Sequence, residues 1–127
     1  MSADRPPTPE APAVARRLLR DVLRLWRWGT TDAREVTEFL ASEIVTNAVE
    51  HVDGEHSLLL EAVQSDCWVR VSVADNSSLR PIVRELEHLQ PGGLGMRFVE
   101  ALADRWGVED HHGGKKVWFE MSPGSPR

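Results

Sequence analysis

Apolar residues recur every three to four positions in three stretches of the chain, and this spacing predicts three amphipathic helices. The first predicted helix spans residues 14–28 and the third spans residues 94–104. The second runs through residues 39–52 and is capped by Thr30, Thr31 or Asp32. Alternating apolar and polar residues predict strands, which pair as two hairpins. The predicted strands span residues 56–64, 67–74, 105–109 and 115–121. This order predicts an α+β fold, a two-layer α/β sandwich with helices on one face of a mixed, mostly antiparallel sheet.

Three segments fall outside this periodic pattern. Residues 1–13 are rich in proline and polar residues and are expected to form a disordered N-terminal tail, and residues 122–127 a C-terminal tail. Residues 14–121 are then expected to form the single folded domain. Residues 76–91 lack clean periodicity and are long for a simple connection, which is typical of a lid over a ligand.

The second predicted helix carries polar residues beside its apolar stripe. Glu43, Asn47 and His51 are each four positions apart and fall on the flank of that stripe. Polar groups there lose water and need partners, so the line indicates a site built along the helix. The alternative is three boundary residues that merely touch solvent. Ser42 and Thr46 are predicted to share the outward face.

The first predicted helix separates its residues into an apolar half and a basic half. The basic half contains Arg16, Arg17, Arg20, Arg24 and Arg27. A solvated face on a packed helix is the favoured interpretation. The alternative is an arginine strip that docks an acidic partner.

Composition excludes several classes of protein. The 127 residues, 41% of them apolar, suffice for one domain with one core. The formal net charge of −5 argues against direct nucleic-acid binding. No apolar run resembles a signal peptide or a membrane span. The single Cys67 is predicted to be a small buried residue, and the protein is predicted to occupy a reducing compartment. The protein is expected to be soluble and cytoplasmic.

Two further segments carry chemistry of their own. Asp75 ends a core strand, where a buried carboxylate can accept a hydrogen bond from an amino group such as that of adenine. Gly92-Gly93-Leu94-Gly95-Met96 opens a helix, whose free N–H groups favour phosphate. An asparagine amide oxygen suits Mg²⁺, and a neighbouring carboxylate can take a proton. Each of these segments alone is a weak signal, and the Walker P-loop pattern is absent. The order of all three segments along the chain, including the polar line on the second helix, predicts one shared site.

These three segments resemble motifs of the GHKL (histidine kinase/Hsp90-like) ATPase superfamily. Within it, the chain is most similar to the small anti-sigma-factor serine kinases and their actinobacterial relatives. Residues 41–51 resemble the N-box, 71–75 the strand that leads to the G1 aspartate, and 93–99 the G2 box. The resemblance covers about residues 14–121 and implies the Bergerat ATP-binding fold.

The resemblance implies ATP and Mg²⁺ as cofactors. Asn47 would hold Mg²⁺ and contact ATP, and Glu43 would be the catalytic base. The remaining residues implied to bind ATP are Asp75, Ser77, Gly93, Leu94, Gly95 and Met96. The implied function is an ATP-binding regulator of transcription, an anti-sigma factor or protein serine/threonine kinase that controls a sigma factor or a STAS-type antagonist. A homodimer is compatible with the resemblance.

The chain departs from the family pattern after Asp75 and in the turn before the last strand, where Gly113-Gly114-Lys115-Lys116 lacks the threonine of many members. The G1 motif is Asp-x-Gly-x-Gly, whereas this chain reads Asp75-Asn76-Ser77-Ser78-Leu79, which places Cβ atoms where the backbone must approach the base. Weak ATP affinity or dependence on a partner is therefore expected. The alternative is a pseudoenzyme, a protein-binding module that has lost productive ATP binding. The family's short first strand is expected to be missing or irregular, because residues 6–12 contain several prolines.

Overall fold

A computed structural model describes residues 1–51, 57–75, 94–111 and 114–124. Within them, three helices pack on a five-stranded sheet, which confirms the predicted α+β sandwich. The helices are α1 (Ala11–Leu25), α2 (Thr31–His51) and α3 (Leu94–Leu102). The strands are β1 (Ser2–Arg5), β2 (Leu58–Gln64), β3 (Val69–Asp75), β4 (Arg105–His111) and β5 (Gly114–Met121).

The sheet has the strand order β1-β2-β3-β5-β4. Every pair of neighbouring strands among the described residues is antiparallel, so the two predicted hairpins, β2–β3 and β4–β5, are both present. One row of the inner face shows the register, since Val73 lies between Leu60 on β2 and Val117 on β5. Aliphatic side chains in such a row form the surface on which the helices pack.

The N-terminus differs from its prediction. Residues 2–5 form an edge strand instead of a disordered tail, with Ala3 opposite Leu60. The ammonium group of Met1 donates to the carbonyl of Ala62 (2.9 Å), and the Ala62 N–H donates to the Met1 carbonyl (2.9 Å). An edge strand is held by hydrogen bonds between main-chain groups. The proline-rich composition of this segment therefore does not show that its first residues pair with β2. The family's first strand is therefore present, and Pro12 lies in the first turn of α1, where proline needs no N–H partner.

The connection from α1 to α2 is built from special backbone conformations. The last turn of α1 ends at Leu25, earlier than predicted, because Arg27 (φ 54°) and Gly29 (φ 72°) adopt the left-handed region. The hydroxyl of Thr30 accepts a hydrogen bond from the Ala33 N–H at 3.1 Å, which identifies Thr30 as the N-cap of α2.

The helices and the inner face of the sheet enclose one hydrophobic core. α2 contacts α1, α3, β3 and β5, so it is the central helix of the helical layer. The largest fully buried side chains are Phe119, Leu19, Leu23, Leu40, Ile44, Leu58, Leu60 and Met96. Among the described residues, no helix has both the length and the apolar content needed to cross a bilayer.

The outer face of the sheet carries a polar network. The Glu120 carboxylate is buried and pairs with Arg70 (2.6 Å) and Arg105 (3.5 Å). The Arg70 guanidinium lies 4.2 Å from the ring centroid of Trp118, which is the geometry of a cation–π contact. The Trp118 indole in turn covers Gly107 on β4.

Cys67 is exposed, so its predicted burial is wrong. The residue lies in the turn before β3, where its N–H donates to the Ser65 hydroxyl at 3.2 Å. The apolar run that suggested a strand begins two residues later, at Val69.

Candidate functional site

The central helix α2 positions two of the predicted site residues one turn apart. Asn47 is buried, with 7% of its surface exposed, and Glu43 is half-buried. Their spacing of four residues places them on one flank of the helix, as predicted. α2 also contacts β3 and α3, the two elements that carry the other described site residues.

Asp75 is the last residue of β3 and lies opposite Leu58 in the register. Only 3% of its surface is exposed, although its carboxyl group is ionisable. The buried carboxylate of Asp75 therefore lies at the end of a strand, beside the central helix. A buried carboxylate can accept hydrogen bonds, which is the chemistry predicted for Asp75.

The third predicted segment opens α3. Leu94 is its first residue and Gly95 its second, so their backbone lies at the helix N-terminus, where N–H groups are free for an anion. The Met96 side chain is fully buried in the hydrophobic core, so only its backbone can face a ligand. Ser77, Gly93 and the predicted lid at 76–91 lie outside the described residues, as does the His51 side chain.

The Asn47 side chain holds the most informative polar atom of this region. Its amide nitrogen is buried and has no hydrogen-bond partner among the described residues. Buried amides are nearly always hydrogen-bonded, so a nitrogen without a partner in the described part of the chain can donate to a ligand that carries an acceptor. Asn47 therefore fits a group with oxygen atoms, such as a phosphate with its divalent cation.

The residues that could hold a cation are few. In the described part of the chain, no group of three or more His, Cys, Asp or Glu side chains could bind a metal together. Mg²⁺ does not require such a cage, because it usually binds through one or two protein oxygens and takes phosphate and water as its other ligands. Asn47, with Glu43 one turn away, matches that kind of donor set.

The opposite flank of α2 differs from its prediction. Ser42 was expected on an outward face, yet only 6% of its surface is exposed because α1 covers it. The Arg16 guanidinium donates to the Ser42 hydroxyl at 2.8 Å, and that hydroxyl donates to the Phe39 carbonyl at 2.7 Å. Helical periodicity alone could not assign this face, because serine is compatible with either environment.

Arginines line a groove between α1 and α2 that the sequence did not localise. It is a cavity of about 410 Å³, and a second cavity of about 460 Å³ shares Arg16, Arg20 and Phe39 of its lining. Arg34 on α2 was not a predicted site residue, yet it belongs to this lining. The four-residue spacing of the α1 arginines indicates that they share one face of the helix. It does not indicate that α1 packs beside α2 to form a groove.

The fold and the site together define a class. An antiparallel sheet covered on one face by helices, with a buried amide on the central helix and a buried carboxylate at a strand end, is the arrangement of a GHKL-type ATP-binding domain. The model of the histidine kinase-like ATPase domain family matches residues 5–121. The chain therefore belongs to the histidine kinase-like ATPase domain family, and this membership implies ATP binding.

Solved structures show the same fold. The structure of the RsbU and RsbW domains of Rv1364c from Mycobacterium tuberculosis matches with a TM-score of 0.69 and 21% identity, covering 99% of this chain and 33% of that chain. The histidine kinase domain of a blue-light activated histidine kinase from Erythrobacter litoralis matches with a TM-score of 0.56 and 24% identity, covering 72% of this chain and 45% of that chain.

The chain thus spans less than half the length of each of these two structures. At these identities the likeness concerns the fold. No curated protein matches the chain.

Proposed function

We propose that this chain is an ATP-binding regulatory protein of the anti-sigma-factor, serine-kinase-like type. It would control transcription through a partner, either a sigma factor or a STAS-type antagonist. Family membership over residues 5–121 supports the ATP-binding part of this proposal. The fold shared with a structure that contains an RsbW domain supports the choice of regulator.

Each site residue has a role in this proposal. Asn47 holds Mg²⁺ through its amide oxygen, Asp75 accepts a hydrogen bond from the adenine amino group, and the residues around Gly95 present N–H groups to phosphate. Bound Mg-ATP would supply the phosphoryl group, with ADP as the leaving group. Glu43 takes the proton from the partner's serine hydroxyl that receives it.

The observation that carries the proposal is the buried amide nitrogen of Asn47, which has no hydrogen-bond partner among the described residues. A structural asparagine in a core would be expected to use its donors within the protein. A ligand that brings oxygen atoms would satisfy this nitrogen and simultaneously offer the amide oxygen a cation. The half-buried Glu43 carboxylate one turn away is then close to the reacting groups.

Isothermal titration with ATP, with and without Mg²⁺, tests the proposal. The wild type should bind ATP in a Mg²⁺-dependent manner, and Asn47→Ala should weaken the binding by about tenfold to a hundredfold. Thr46→Ala is the matched control, because Thr46 is the neighbouring residue and, among the described residues, its hydroxyl donates only to the Ser42 carbonyl at 2.8 Å. Equal affinities of the wild type and Asn47→Ala would count against the metal role.

The second candidate function is a protein-binding pseudoenzyme, and one observation favours it. The sequence after Asp75 contains no glycine where the family has two, and side chains with a Cβ atom are expected to hinder a close approach of the backbone to the base. Transfer of labelled phosphate from ATP to a co-purified partner would establish the kinase. Partner binding that is unaffected by ATP, without transfer, would establish the pseudoenzyme.

Three further statements stay predictions. They are a homodimer, a cytoplasmic location, and the absence of direct nucleic-acid or membrane binding. The chemistry proposed at Asn47 requires none of them. The net charge of −5 supports the last of them. Sedimentation analysis with and without ATP would establish the oligomeric state.

A further inference from the structure

The groove between α1 and α2, hereafter the arginine groove, is lined chiefly by charged side chains. Its four cations face two carboxylates, in a protein whose formal net charge is −5. The charged lining consists of Arg16, Arg20, Arg24, Arg34, Glu35 and Glu38. The groove is therefore a local positive region on an acidic protein.

Most of these cations lack a counterion. Among the described residues, Arg20 pairs with Glu38 at 3.2 Å, whereas Arg16, Arg24 and Arg34 pair with no carboxylate. The Arg16 Nε atom is buried and has no hydrogen-bond acceptor in the described part of the chain. The Arg16 guanidinium donates to the Ser42 hydroxyl through another nitrogen, so its buried Nε atom needs a further acceptor, which a carboxylate can supply.

Three of the four cations, Arg16, Arg20 and Arg34, are held by side-chain hydrogen bonds. Arg16, Arg20 and Arg24 are four residues apart on one face of α1, a row about 12 Å long at the rise of an α-helix. Arg34 is fixed opposite them, because its guanidinium donates to the Gly29 carbonyl at 2.7 Å. Fixed arginines lose little side-chain entropy on binding, which favours carboxylate recognition.

The floor of the groove is aromatic. Phe39 lines both adjoining cavities and contacts Phe98 of α3 edge-to-face, with ring centroids 5.1 Å apart. Phe98 is itself 39% exposed, so the apolar floor continues toward α3. A ligand for this groove therefore needs an apolar group beside its negative charges.

We propose that the arginine groove is the docking site for an acidic amphipathic helix of a partner protein. Carboxylates at every fourth position of that helix meet the row formed by Arg16, Arg20 and Arg24, and an apolar side chain reaches Phe39. The spacing matches because both rows follow the same helical repeat. Nucleic acid fits less well, since Glu35 on the α2 side would repel a uniform polyanion.

The arginine groove also leads toward the proposed catalytic residue. The second cavity shares Arg16 and Arg20 with the first and is lined by Glu43 at its other side. A partner helix in the groove therefore brings the flanking chain of that partner close to Glu43. This inference rests on the proposed function for the existence of a partner, but the groove does not depend on bound nucleotide.

Fluorescence anisotropy with a designed probe tests the docking site. The probe is a labelled helical peptide of about 18 residues with glutamate at every fourth position and leucines alongside, and its control has glutamine in place of each glutamate. The wild type should bind the glutamate peptide at least about tenfold more tightly, and raising NaCl from about 50 to about 300 mM should weaken this binding. Equal affinity for both peptides would overturn the inference.

Variants locate the binding. Arg24→Ala should weaken binding of the glutamate peptide about threefold, and the double variant Arg16→Gln, Arg24→Ala about tenfold. Arg27→Ala is the matched control, since it removes the same charge from an exposed position outside the groove, and it should change affinity less than twofold. A control that loses as much affinity as Arg24→Ala would refute the location.

A parallel ATP titration of the same variants separates this inference from the proposed function. Retained ATP binding with no preference for the acidic peptide would refute the groove alone. Peptide binding in a protein that binds no ATP would refute the nucleotide function and leave the groove supported. Circular dichroism confirms that each variant is folded.

Discussion

Adding a single methyl group at Gly107 on β4 should lower the stability of the protein measurably. A Cβ atom added to Gly107 would lie 2.8 Å from Cζ2 of Trp118 and 2.9 Å from its Cε2 and Nε1 atoms. Ordinary van der Waals contact begins at 3.4 Å, so the indole must move by at least about 0.6 Å. Such a movement disturbs the contact of the ring with the Arg70 guanidinium, which lies 4.2 Å from the ring centroid.

Two opposing effects determine the stability of Gly107→Ala. Overpacking costs about 1–3 kcal/mol, whereas replacing glycine in a strand recovers about 0.5–1 kcal/mol of backbone entropy. At mid-range values the overpacking term is larger, so the free energy of unfolding should fall by about 1 kcal/mol. For a chain of 127 residues this corresponds to a decrease in Tm of about 3–6 °C.

A double-mutant cycle with Trp118→Leu isolates the cause. Urea unfolding followed by circular dichroism gives the free energy of all four proteins. In the Trp118→Leu background the indole is gone, so Gly107→Ala should become neutral or stabilising. A loss of the same size in both backgrounds, or a gain of stability in the wild type, would refute this account of the contact.

Two other variants probe the scaffold of the site by the same unfolding assay. Thr30→Ala should lose about 1 kcal/mol because the Ala33 N–H loses its cap, while Thr30→Ser should retain most of it; equal losses would exclude the hydroxyl as the cause. Glu120→Gln should lose about 1–3 kcal/mol, since this buried carboxylate binds Arg70 at 2.6 Å. Arg105→Gln should lose less than about 0.5 kcal/mol because Arg105 is 71% exposed, and a larger loss would contradict this ranking.

Much of the candidate site could be predicted from local sequence. Glu43 and Asn47 were expected on one flank of α2, and the structure places them there, with Asn47 buried. Asp75 was expected at the end of a core strand, and it is the last residue of β3. These predictions succeed because a helix and a strand each impose a fixed side-chain period, so spacing in sequence becomes position on a face.

Other parts of the site depended on neighbours that the sequence does not reveal. Met96 was predicted to bind ATP, but its side chain fills the core beneath α3, so only its backbone remains for that role. Ser42 was predicted to face outward, but α1 lies over it. A small hydroxyl and a flexible thioether are compatible with several environments, and the packing of other elements decides which one they occupy.

The sequence by itself determined the helices, the two hairpins and the order of the site segments along the chain. These properties follow from interactions between residues close in sequence, where periodicity, caps and turns act. Only the tertiary structure decided that β1 pairs with the edge of β2 and that the arginines of α1 face α2 across a groove. Main-chain pairing and the burial of a helix face depend on the element that lies opposite, and that element is distant in sequence.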